Sequence, residues 1–267
     1  MREADDVYVN RLLETSPLYH VLVRSAECLL LRDYDLPSPV LDIGCGPGTF
    51  GRALFGERQV DMGIDPQHGE LVRARDTKSY RWLVQSAGAT LPFRDESFAS
   101  CFSNSTLEHI PDVEPVLAEM HRVVAPGGPV LITVPSEHFL AYYGGSQLLE
   151  ALRLGAPAAR YREFMRRRSR TFHDDPPDVW LTRLADAGFA VREWRYYYSR
   201  SNMIFFDLSH YMTVPSLLTR RLLGRWVLWP DKRKVLPLAR LLRRWVDPGP
   251  ADAGAGAYLL FSCVRDA

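Results

Sequence analysis

The stretch Val40–Gly48, VLDIGCGPG, decides the fold. A short apolar run carries an aspartate, and glycine then occupies alternate positions 44, 46 and 48. Glycine costs backbone entropy in ordered structure, so such a cluster marks a tight turn or a backbone that another group approaches closely. The apolar run reads as a buried strand over 39–43, and Thr49–Phe55 reads as the start of a helix. That order puts backbone N–H groups at a helix start, where ligand atoms can meet them.

Working outward, Val60–Ile64 (VDMGI) reads as a second strand and runs into Asp65-Pro66. Tyr80–Ser86, Ser97–Phe102 and Val130–Val134 read as three more. A helix is expected over Pro17–Arg32, and another over Val113–Val124 stops at APGG, a Gly/Pro helix terminus. Strands alternating with helices imply an α/β fold with a parallel sheet and helices on both faces. Residues 136–174 read as aromatic, arginine-rich and irregular. The pattern resumes with a helix over Pro177–Ala187 and a strand over Phe189–Tyr198, breaks at about 201–252, and ends in a strand over Ala257–Val264.

The expected organisation is therefore an N-terminal helical segment (1–37), a ligand-binding core (38–135), a cap insertion (136–176), a core continuation (177–200), a basic amphipathic insertion (201–256) and a last core strand (257–267). The two insertions are expected to lie together as a cap.

The 267 residues are 46% hydrophobic and 24% charged, enough for one large core. Net charge is +1, but the charge is unevenly spread. Arg160–Arg170 and Arg220–Arg244 together hold 15 of the 33 cationic residues. Cys28, Cys45, Cys101 and Cys263 are scattered, without metal-ligand spacing, so neither a metal site nor a disulfide framework is expected. The first ten residues lack the apolar run of a signal peptide, and no run of 18 apolar residues occurs. A cytoplasmic location is the expectation.

An acidic residue about 20 positions after the glycines, at the end of the next strand, can hold ribose hydroxyls. Asp65 stands there. The nicotinamide pattern G-x-G-x-x-G would need glycine at position 49, which is Thr49. The pyrophosphate reading, and with it an NAD(P)-dependent oxidoreductase, is disfavoured.

The successive stretches VLDIGCGPGTF, GIDPQ, LPFRDESFAS, SNSTLEHIPD and LAEMHRVVAPGGPVLITVPS resemble the ordered motifs of class I S-adenosylmethionine-dependent methyltransferases over roughly residues 38–136. The likeness is strongest to the small-molecule branch that includes ubiquinone and menaquinone biosynthesis enzymes. It implies a Rossmann-like, seven-stranded sheet whose last strand is antiparallel, and S-adenosylmethionine as cofactor. By the same resemblance Gly44, Gly46 and Gly48 line the methionine part, with Asp42 beneath the loop. Asp65 accepts the ribose hydroxyls, and Pro66 and Gln67 flank the adenine. Cys45, Asn104 and His109 belong to the same cofactor set. The family usually has an acidic residue where this chain has Ala87, so backbone groups of Ala87 and Gly88 are left to face the adenine amino group.

Methyl transfer needs alignment and exclusion of water more than a catalytic triad, and an oxygen acceptor benefits from a base. The expected reaction is methylation of a small-molecule acceptor, with oxygen the favoured atom and an anionic, glycan or lipid-linked substrate among the options. His109, His173 and His138 are the candidate proton acceptors, with structural roles as the alternative for each. Val235, Leu238, Leu242 and Trp245 fall at helical spacing beside arginines, so residues 216–246 read either as a peripheral membrane contact or as a cap helix packed on the core. No nucleic-acid partner is expected, and the chain is expected to be a monomer or homodimer. The rival outside catalysis is a cofactor-binding scaffold that docks through its basic cap.

Overall fold

The computed structural model describes residues 6–13, 15–212, 221, 241–249 and 253–266. Seven strands, β1 (Val40–Ile43), β2 (Val60–Asp65), β3 (Tyr80–Gln85), β4 (Ser100–Asn104), β5 (Pro129–Pro135), β6 (Phe189–Tyr197) and β7 (Tyr258–Arg265), form one sheet in the order β3-β2-β1-β4-β5-β7-β6. The five strands from β3 to β5 are parallel, and β7 inserts antiparallel between β5 and β6. β1 and β4 are all-buried, as expected of central strands in a parallel sheet covered on both sides.

Adjacent residues of the central strands face opposite layers, following the two-residue period of a strand. Val40, Phe102, Leu131 and Leu260 pack into one core with α1 (Asp6–Leu13), α2 (Leu18–Leu31), α3 (Thr49–Phe55), α4 (His68–Thr77) and α9 (Arg200–Met212). Leu41, Cys101, Val130 and Phe261 pack into the other, with α5 (Glu114–Val123) and α8 (Pro177–Asp186). The strand order reverses between β1 and β4, so their carboxyl ends open the crevice in which ligands of such sheets bind.

The reading of 136–174 as irregular needs correction. This segment carries α6 (Gly144–Ala151) and α7 (Gly155–Ser169). α7 has few buried residues, Ala158 and Met165, so the apolar repeat that announces a helix is missing. Arginine is a good helix former, and Glu163 pairs with Arg167 at 2.7 Å one turn on. α6 packs on both α7 and α9, and Asp207 of α9 fastens the three helices by accepting from the Gly145 N–H (3.0 Å) and the Tyr161 hydroxyl (3.1 Å). α4 also escaped the sequence reading, because only Leu71 and Ala74 of its residues are buried.

Most of the segment 216–246 lies outside the described residues, including Val235 and Leu238. Among the described residues Leu242 and Val246 are buried in the core, and Arg243 pairs with Asp6 of α1 (2.7 Å). No described helix is long and apolar enough to cross a membrane.

Candidate functional site

A cavity of about 610 Å³ opens at the β1/β4 crevice, a size typical of small-molecule sites. The turn after β1 forms its floor. Gly44 has φ +75° and its N–H donates to the Ile64 carbonyl, as does that of Cys45 (2.9 Å each). A Cβ on Gly44 would collide with the Thr106 side chain. Gly46 has φ +52°, and nothing lies within 4 Å of where its Cβ would be. Its bare face is turned to open space, the arrangement a backbone needs when a ligand approaches it closely. Gly48 plays a different part and is not in the cavity wall. Its missing Cβ makes room for Thr77 and Tyr80.

Asp65 at the end of β2 is 7% exposed, and its carboxylate is fixed by two backbone amides: Gly46 N–H to Oδ2 (3.1 Å) and Gln67 N–H to Oδ1 (2.8 Å). Each carboxylate oxygen retains lone-pair capacity for a further donor. Asp42 is buried and accepts from the Tyr80 hydroxyl (2.6 Å). Burial pushes its carboxyl up to about 7 against the opposing Tyr80 hydrogen bond, with the Asp65 charge adding to the rise. Cys45, Pro66, Gln67, Ala87, Gly88 and Asn104 also line this cavity. Burial, then the nearby carboxylates, raise the Cys45 thiol far above its ordinary value, so it stays protonated.

Of the three candidate histidines, only His109 reaches the cavity. It sits in a 3₁₀ turn, Leu107–His109, after β4, with Nδ1 3.1 Å from the carbonyl of Arg170. A carbonyl only accepts, so Nδ1 carries the proton and Nε2 keeps a free lone pair. Burial favours the neutral form and lowers the ring's pKa, with that backbone hydrogen bond partly opposing. His173 lies outside the cavity: Nε2 contacts the Ile110 carbonyl (3.0 Å), Nδ1 faces Asp175 (3.4 Å), and the ring stands edge-on to Trp180. His138 is also outside, stacked on Tyr142 and beside Glu137 (3.3 Å).

Several residues of this region carried no recognised sequence signal. Glu27 of α2 is fully buried and accepts four hydrogen bonds: from Arg24 (2.6 Å) and Asn104 (2.9 Å) at Oε2, and from Ser105 (2.9 Å) and Tyr197 (3.0 Å) at Oε1. A glutamate midway between Val23 and Leu31 on an apolar helix stripe is the signal that could have found it. Ser105 takes a left-handed backbone, φ +46°, held by the Thr133 carbonyl (2.9 Å) and hydroxyl (3.0 Å). Left-handed non-glycine residues are uncommon and gather at functional sites.

A second cavity of about 300 Å³ adjoins the first. Both are lined by His20, Arg24, Ser105, His109 and Ser169, which form their shared boundary. Its remaining wall comes from α2, the 3₁₀ turn, the chain after β5, α7, α9 and β7, and carries the aromatic residues Tyr19, Phe139, Tyr143, Phe206 and Tyr258. Among the described residues no His/Cys/Asp/Glu cluster could hold a metal, and all four cysteines are free and buried.

Comparison with known proteins gives this geometry a family context. Residues 41–132 match the methyltransferase domain family. An uncharacterized methyltransferase of Mycobacterium avium is 36% identical over 129 residues, 46% of this chain and 49% of that protein. One from Mycobacterium tuberculosis strain H37Rv is 33% identical over 126 residues, again 46% and 49%. The chain thus spans about half the length of the curated relatives it matches. Among solved structures, a Thermotoga maritima S-adenosylmethionine-dependent methyltransferase, described as a possible histamine N-methyltransferase, superposes with a TM-score of 0.60 at 16% identity, over 93% of this chain and 92% of that one. Geranyl diphosphate methyltransferase (TM-score 0.56, 14% identity, 90% and 78%) and the cyclase SpnF (0.57, 14%, 91% and 81%) share the fold. Residues 41–132 thus carry a methyltransferase domain, and the chain has the mostly parallel seven-stranded sheet of the solved methyltransferase structures on which it superposes. Nothing in these matches singles out the ubiquinone and menaquinone branch.

Proposed function

We propose that this chain, built around a methyltransferase domain at 41–132, binds S-adenosylmethionine in the larger cavity and methylates an oxygen of a small-molecule acceptor. The supporting observation is the pairing of Gly46 and Asp65. A bare backbone faces the cavity beside a carboxylate that two loop amides hold in place. A carboxylate suits the two adjacent hydroxyls of a ribose, since hydrogen bonds to a charged acceptor are the stronger kind. A dinucleotide is disfavoured by Thr49.

When bound, S-adenosylmethionine supplies a sulfonium-activated methyl group, whose carbon takes the acceptor's electron pair as the carbon–sulfur bond breaks. The hydroxyl proton must then go to the protein. His109 takes it in this reading, supported by Nδ1 anchored to the Arg170 carbonyl and by its position in the wall of both cavities. The acceptor enters from the smaller cavity, walled in part by the cap, and the cap excludes water while the reactants are aligned.

Calorimetric titration with S-adenosylhomocysteine tests the cofactor assignment. Wild-type protein is expected to bind, and Asp65→Ala to bind at least about tenfold more weakly, roughly 1.4 kcal/mol. Failure of the wild-type protein to bind would remove the proposal and favour a scaffold that acts without the cofactor. For His109, His109→Ala is expected to lower kcat about 10²-fold or more with cofactor affinity retained. Unchanged kcat in that variant would take the proton-acceptor role from it.

A further inference from the structure

The smaller cavity contains an anomaly. Glu108 lines it and is 3% exposed, yet its Oε2 is buried without a hydrogen-bond partner. A buried polar atom left unpaired costs free energy on the order of 1–3 kcal/mol, and such atoms in native structures call for an explanation. Its other oxygen, Oε1, stands 3.8 Å from His109 Nε2, too far for a direct hydrogen bond but near enough for both groups to reach one shared atom.

A second feature is the cavity's charge. Arg24 is tied to Glu27, whereas Arg168, also in the wall, makes no hydrogen bond or ion pair with any described residue. Burial shifts the histidines, Glu108, Tyr143 and Tyr258 of this wall toward their neutral forms. Burial pushes His20 down to about 3 and lowers His210. Burial also raises the Tyr143 and Tyr258 hydroxyls, and lifts Glu108 to about 8. The wall is therefore net positive. Phe139, Tyr143, Phe206 and Tyr258 supply flat apolar faces around it, and the volume is at the small end of ligand sites.

Resting on the methyltransferase reading above, we infer that the 300 Å³ cavity is the acceptor subsite for a small aromatic acid bearing a hydroxyl. Arg168 receives the acid's anionic group, and Glu108 holds the hydroxyl beside His109. Glu108 in its protonated form can donate through Oε1 to an acceptor hydroxyl that itself donates to His109 Nε2, so the two side chains hold that hydroxyl between them. The aromatic walls take the ring by edge-to-face or stacked contact.

The test titrates wild-type protein saturated with S-adenosylhomocysteine with 3-hydroxybenzoate, and separately with phenol and with benzoate. The hydroxybenzoate is expected to bind at least tenfold more tightly than either partial probe. Arg168→Gln should erase its advantage over phenol while leaving phenol binding in place. Glu108→Gln, which keeps one donor and one acceptor, should hold the advantage over benzoate; Glu108→Leu should lose it. Bound S-adenosylhomocysteine together with equal or absent binding of the three probes, or indifference to both Arg168→Gln and Glu108→Leu, overturns this inference and leaves the cofactor assignment intact. Absent binding of S-adenosylhomocysteine is instead the failure of the cofactor assignment itself. Circular dichroism and the S-adenosylhomocysteine affinity of each variant show that it is folded.

Discussion

At the scale of single residues, Gly44 is constrained twice. Its φ of +75° is unfavourable for any side chain, and an added Cβ would press on all the heavy atoms of the Thr106 side chain, lying 2.8 Å from its Cβ. Gly44→Ala is expected to destabilise the protein by about 1–3 kcal/mol and to weaken S-adenosylhomocysteine binding. Thr106→Ala in the same chain relieves part of the clash but none of the backbone strain, so the double variant should recover only part of the loss. Full recovery in denaturant melts would show that the conformation of the turn does not matter. Glu108 gives a pH prediction. Burial raises its carboxyl from about 4.5 to about 8, its own backbone only partly opposing. Below pH 4.5 both folded and unfolded chains hold the proton and the contribution is complete. From about pH 5 to 8 the unfolded chain has released the proton while the native chain keeps it, so stability falls as pH rises, by up to about 1.4 kcal/mol per unit. Glu108→Gln should flatten that part of the fall. Asp42, raised to about 7, contributes with the same sign and remains in the variant. Urea unfolding at pH 6 and pH 8 measures both slopes, and equal slopes in the two proteins would contradict the assignment.

At the scale of elements, the core was legible where each strand advertised itself. β1, β5 and β7 are short apolar runs next to glycine or proline, and the GIDP turn after β2 placed Asp65 by its distance from the glycine loop. What could not be read is what depends on partners distant in the chain. Tyr80 fills the space left by Gly48, Gly51 and Gly63, so the glycines serve packing as much as ligand approach. Nothing in the spacing of those residues identifies the tyrosine. His173 and His138 stand next to motifs in sequence, but their rings are turned to Trp180 and to Tyr142. The cap was missed as helix because its helices are held by polar ties rather than by an apolar stripe. Those ties converge on Asp207, 5% exposed, which accepts from Gly145 and Tyr161. Asp207→Ala removes the acceptor of both bonds and is expected to cost about 1–3 kcal/mol. The loss should be local: amide hydrogen exchange should speed up in α6 and α7 and stay unchanged in β1, β4 and α5. Uniform acceleration across the sheet would mean that the cap is not a separate unit of stability.

At the scale of the whole molecule, the N-terminal helices are part of the site. Glu27 collects donors from α2, from the end of β4 and from β6, residues separated by 77, 78 and 170 positions in sequence. It thereby fixes Asn104 and Ser105 where both cavities begin, and it neutralises Arg24, which lines both. Arg243, beyond the cap, reaches back to Asp6 in α1 and closes the same assembly from the other end. Removing the centre of such a network differs from truncating an apolar side chain. Glu27→Ala would strand a largely buried guanidinium and three polar side chains, and breaking a buried pair from one side costs about 3–5 kcal/mol. For a chain of this size each kcal/mol lowers Tm by roughly 2–4 °C, so a drop of about 6–20 °C is expected. Glu27→Gln keeps the acceptor oxygen and loses the charge, and should fall between the two. Because Arg24 is released in both variants, the effect should reach beyond stability. At a temperature where the variants remain folded, S-adenosylhomocysteine affinity should fall in the order wild type, Glu27→Gln, Glu27→Ala. A variant with lowered Tm and unaltered affinity would show that the network holds the helices to the sheet without shaping the cavity, and the N-terminal segment would then be scaffolding only.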